Sequence, residues 1–100
     1  MYSTCLTKEG KPTKFVLGRL KFLTQNKKHY PSGVPRRTLF SKSAIAISKY
    51  SKKTAAFDRF CLSQGLITIK EGVNKLTGRQ AILYKVTKKG EDFYFRYKTF

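Results

Sequence analysis

Apolar residues recur along this chain with a helical period up to Gly65 and with a period of two beyond it. In PTKFVLGRLKFLTQNKK, Phe15, Val16, Leu20 and Leu23 fall at helical spacing and predict a first helix, starting at Pro12, a residue suited to a first turn. HYPSGVP, with two prolines and a glycine, predicts a loop. In RRTLFSKSAIAISKY, Phe40, Ala44 and Ile47 at i, i+4 and i+7 predict a second helix, with Thr38 able to cap it. SKKTAAFDRFCLSQGLI predicts a third, with Ser51 as N-cap, a stripe of Ala56, Phe57, Phe60, Cys61 and Gln64, and Gly65 as the left-handed stop. Leu66 to Lys70 and Ile82 to Val86 then alternate as strands, and EGVNKLTGRQ between them has the composition of a long hairpin turn.

The two ends are less determined. MYSTCLTKEGK, residues 1–11, reads as an arm or a short edge strand preceding one domain over residues 12–100. In TKKGEDFYFRYKTF, Thr87 followed by Glu91 and Asp92, with Phe93 and Tyr97 at i, i+4, favours a capped final helix. Phe93, Phe95 and Tyr97 also alternate as a strand would.

Composition decides the class of partner. One hundred residues suffice for one modest core, and 40% hydrophobic residues with 14% aromatics mark a chain that folds. Its 22 Lys and Arg against five Asp and Glu give a formal charge of +17. Residues 1–50 hold 11 basic and one acidic side chain and residues 51–100 hold 11 and four, so the folded body is itself the polycation. Such self-repulsion points to a polyanion, with nucleic acid first. The longest uncharged run, Phe60 to Ile69, is about half a membrane span, so neither a transmembrane segment nor a signal peptide is expected. The expected location is therefore intracellular, cytoplasmic (nucleoid) or nuclear, and not membrane-bound.

The inventory for chemistry is thin. Cys5 and Cys61 form no CxxC and His29 is the sole histidine, so no metal site or other cofactor is expected. With five carboxylates, no Gly-rich phosphate loop and no nucleophile motif, the chain does not read as an enzyme. Phe15, Phe22, Phe40, Phe57 and Phe60 sit on helical stripes and read as core.

Helices two and three stand at the spacing of a helix-turn-helix. The third opens with Lys52 and Lys53, where the positive end of the helix dipole would favour acids. That order, followed by two strands, resembles the winged helix-turn-helix family over about residues 12–97. SKKTAAFDRFCLSQGLI looks like the family's recognition helix with its Gly-Leu-Ile lead into a strand, and LYKVTKKGEDF looks like the strand-to-helix exit of MarR-like regulators. The resemblance implies an α+β winged helix-turn-helix: three helices, a two- or three-stranded antiparallel wing and a C-terminal helix.

In that family the recognition helix enters the DNA major groove and the wing reaches the backbone or minor groove. Carried over by position, Ser51, Lys52, Lys53 and Thr54 would start the contact and Ala55 and Arg59 would face the groove. Lys75 and Arg79 would arm the wing, and Arg36, Arg37 and Thr38 would meet phosphates. Asp58 falls where an apolar residue is common, and it reads as orienting Arg59 or Lys53. Tyr94, Phe95, Tyr97 and Phe100 would form a homodimer interface, or else close the monomer core.

The expected function is therefore that of a small transcription regulator binding duplex DNA. A second reading is an RNA-binding or ribosome-associated winged helix, suggested by Lys8, Lys11, Lys14, Lys27 and Lys28 away from the groove face. A third is a basic protein-interaction module, such as an inhibitor docking on an acidic patch of a nucleic-acid enzyme.

Overall fold

A computed structural model describes residues 5–41, 52–74 and 77–98. Among them the chain is α+β, with four helices and a three-stranded antiparallel sheet. Its elements are α1 (Lys14–Asn26), β1 (Val34–Pro35), α2 (Arg36–Ser41), α3 (Lys52–Ser63), β2 (Ile67–Asn74), β3 (Arg79–Val86) and α4 (Lys88–Tyr97). Ser51, Lys75, Phe100 and the expected continuation of helix two through Ala44 and Ile47 lie outside the described residues.

Helix α1 starts at Lys14, two residues later than Pro12, because the Thr13 hydroxyl accepts from the Val16 N–H and sets the cap there. Pro12 is instead buried and forms an isolated antiparallel bridge with Leu6. The segment before it is thus folded back on the body: Cys5 is fully buried, and its thiol donates to the Ala56 carbonyl oxygen at 3.5 Å.

Helix α3 stops at Gly65 as its sequence predicts. Gly65 has φ +70°, its N–H donates to Leu62 O, and Leu66 N–H donates back to Cys61 O. That pair of bonds is the Schellman arrangement, which satisfies carbonyls at the helix end and turns the chain into β2. Thr87 caps α4, confirming a helix over the ambiguous last segment, and its hydroxyl also donates to Gly65 O at 2.7 Å. The start of α4 is therefore tied to the end of α3.

Two features of the sheet depart from expectation. Val34 and Pro35, read as loop, form edge strand β1 against Tyr84 and Leu83, in sheet order β1-β3-β2. A proline is tolerated there because an edge strand need not donate on its outer side. The hairpin pairs as far as Asn74 opposite Arg79, so most of the predicted long turn is strand and only residues 75–78 connect.

One aromatic from each of four elements meets at the centre. Phe15 of α1, Phe40 of α2, Phe57 of α3 and Tyr84 of β3 lie with ring centroids 5.6–6.4 Å apart, mostly edge-on. Val16, Leu20, Leu23, Leu39, Phe60 and Cys61 pack around them, and Cys5, Val34, Leu66 and Ile67 extend the buried cluster. Tyr94 belongs to it too, 7% exposed, which corrects its assignment to a dimer contact. Its neighbour Phe95 is 52% exposed, with Lys98 Nζ 4.8 Å from the ring centroid, and Tyr97 stacks on Phe93 at 4.9 Å.

Candidate nucleic-acid interface

Helix α3 is divided lengthwise. Thr54, Phe57, Asp58, Phe60 and Cys61 are buried, whereas Lys52, Arg59 and Leu62 are exposed and Ala55 is half-buried. At 100° per residue, Lys52, Ala55 and Arg59 share one outward stripe. Lys53 is exposed on its flank, and the first turn carries no acid. The expected contact at Thr54 is corrected: at 1% exposure it faces the core and not a DNA groove.

What fixes this helix is a polar network that the sequence did not predict. Asp58, 6% exposed, accepts from the Tyr84 hydroxyl at 2.6 Å and from the Arg36 guanidinium at 3.0 Å, and Arg36 Nε donates to the Tyr84 oxygen at 2.8 Å. The three side chains come from α3, β3 and the first residue of α2. They form a closed triangle that locks α2 and α3 to the sheet. Burial and the bond to Asp58 push the Tyr84 phenol well above the ordinary tyrosine range, against the opposing pull of Arg36. Asp58 thus turns inward to Tyr84 and Arg36, where the sequence placed it toward Arg59 or Lys53. Arg36 is occupied as a brace instead of being held out toward phosphate, while the adjacent Arg37 is exposed and Thr38 half-buried.

The signal for the network was present in one place. An acid on the apolar side of a helix, in a chain this basic, demands a cationic or hydrogen-bonding partner. The sequence alone did not say which of 22 cations would come to it.

The hairpin carries Arg79, exposed at its distal end, and Lys70 and Lys85, exposed along its strands. Among the described residues no group of His, Cys, Asp and Glu could hold a metal ion, and no helix is long and apolar enough to cross a membrane. The thiols of Cys5 and Cys61 are buried, and burial pushes both upward from the ordinary cysteine value, which suits packing better than nucleophilic chemistry. No family model, curated protein or solved structure matches this chain.

Proposed function

We propose that the protein binds duplex DNA as a small winged helix-turn-helix regulator, laying the Lys52–Ala55–Arg59 stripe of α3 in the major groove with Arg79 and the wing on the backbone. The observation that carries this reading is the acid-free, cationic N-terminal face of α3, held rigidly outward by the Asp58–Tyr84–Arg36 triangle. The element order, with a helix pair followed by a hairpin and the short β1 at the sheet edge, supports the winged arrangement. Arg59 offers the fork geometry that matches a guanine edge, and Lys52 and Lys53 serve phosphates as point charges at the positive end of the helix dipole.

Duplex-DNA affinity measured across a salt series tests it. Log K should fall with log salt at a slope of about −0.9 per phosphate neutralised. Lys52→Glu and Arg79→Ala should each weaken binding and shallow the slope; unchanged affinity in both would exclude this face. A second reading, binding to structured RNA, draws on Lys8, Lys11, Lys14 and Lys28, all exposed and outside α3. Competition between duplex DNA and a folded RNA separates the two, and an RNA preference would replace the first.

A further inference from the structure

A groove of about 450 Å³ lies where the α1–β1 loop meets the hairpin, within the usual size of a small-ligand site. Tyr30, Pro35 and Leu83 supply its apolar walls, the chain passes its edge at Val73, and Asn26 and Asn74 bring amides to it. The Asn26 amide is held in place by its bond to Phe22 O at 3.0 Å. Tyr30 is half-buried, its ring 6.5 Å from that of Phe22, so the ring is backed by α1.

The register places cations on the same side of the sheet. Lys70 faces Leu83, Thr68 faces Lys85 and Asn74 faces Arg79, so these side chains share the face that carries Leu83. Tyr84 and Ile69 point to the opposite, core-facing side, and Glu71 with them. Among the described residues of the Leu83 face none is acidic, and Lys70, Lys85 and Arg79 are all exposed. An aromatic wall with amides beside it and a row of cations alongside is the chemistry that takes a planar, hydrogen-bonding ring attached to a phosphate chain.

We propose that this groove accepts one unstacked nucleobase, stacked on Tyr30 over Leu83, while the neighbouring phosphates run along Lys70, Lys85 and Arg79. The inference rests on the nucleic-acid reading and deepens it: the protein has a second surface, separate from the α3 stripe, that engages single-stranded or locally opened strands.

The test uses a short single strand with a central 2-aminopurine, made once as DNA and once as RNA to distinguish the two sources of the base, and an unmodified duplex in the same buffer. Wild-type protein should quench the 2-aminopurine fluorescence on binding. Tyr30→Phe should retain both quenching and affinity. Tyr30→Ala should lose the quenching and weaken single-strand binding by about tenfold, the scale of one base–aromatic stack, with duplex affinity unchanged. Lys70→Glu, at an exposed position of the Leu83 face, sets a carboxylate in the row that holds the phosphates and should also weaken single-strand binding even if Tyr30→Ala folds poorly. Quenching and affinity unaltered in both variants, with duplex binding intact, would overturn the base site alone. Failure of the wild type to bind any of the probes would overturn the nucleic-acid reading, and the base site with it.

Discussion

Asp58 is one of five acids in the chain, and it is spent in the interior, where its carboxylate holds Tyr84 and Arg36. Removing one member of such a network takes a charged or hydroxyl partner from the others, so Asp58→Ala should cost about 2 kcal/mol, less than a fully buried pair because Arg36 is partly exposed. Tyr84→Phe should cost about 1 kcal/mol, both read from urea midpoints. The adjacent arginines should then divide: Arg36→Ala lowers stability, whereas Arg37→Ala leaves stability alone and lowers nucleic-acid affinity. Equal effects of the two on both measurements would contradict the brace. Alkaline pH gives an independent check. The Tyr84 phenol is raised above its ordinary value of 10.0, so its contribution is complete below about pH 10 and is lost as pH rises toward the folded value, because the unfolded chain ionises first. The stability gap between wild type and Tyr84→Phe should therefore narrow above about pH 10, a comparison in which the many lysines cancel. A constant gap would mean that the phenol is not protected.

At the scale of elements, the parts that could be read from the sequence are those whose signal is local. The α1 stripe, the Phe57, Phe60 and Cys61 part of the α3 stripe, the Thr87 cap and the Gly65 stop each depend on a few neighbouring residues and are found where the pattern puts them, whereas Gln64, expected on the α3 stripe, is exposed beyond the helix end. Strand β1 was hidden because two residues, one of them proline, carry no period and pair only when β3 is beside them. The distal hairpin was hidden for a different reason: Glu71, Val73, Arg79 and Gln80 are exposed, so no alternation of apolar and polar residues marks the strand there. Thr54, Arg36 and Tyr94 were misassigned because position in a family pattern does not reveal which way a side chain is turned. The junction between elements also makes its own prediction. A Cβ added at Gly90 would fall against the Leu66 carbonyl oxygen and 2.8 Å from Val86 Cγ2, both parts of the sheet end on which α4 is seated. Gly90→Ala should therefore destabilise the protein by about 2 kcal/mol despite alanine's better helix propensity, whereas Gly18→Ala, with nothing near its added methyl, should stabilise it by up to about 1 kcal/mol. Thermal melting of the two variants decides, and a gain in both would mean that α4 can shift on the sheet.

The molecule as a whole carries +17 on a body of 100 residues, and only three ion pairs are formed among its described residues. Screening should consequently stabilise it: the melting temperature should rise with sodium chloride from about 20 to about 300 mM, as the Debye length shrinks below the spacing of surface charges. A DNA duplex added at fixed ionic strength should raise it further, since a ligand that prefers the native state stabilises it by mass action. The lysines that open α3 allow the two effects to be separated. In the free protein Lys52 and Lys53 stand at the positive end of a helix dipole, an arrangement that costs stability and that an acid would improve. Lys52→Glu should therefore melt higher than wild type without DNA, by about 0.5 kcal/mol of stability. It should gain less than wild type when DNA is added, because the phosphate that would have answered both the dipole and the lysine is now met by a carboxylate. Opposite signs in the two conditions are the signature of a charge kept for binding at the expense of folding. A variant that melts lower in both would show instead that Lys52 supports the fold, and the α3 stripe would lose its claim to be the contact face.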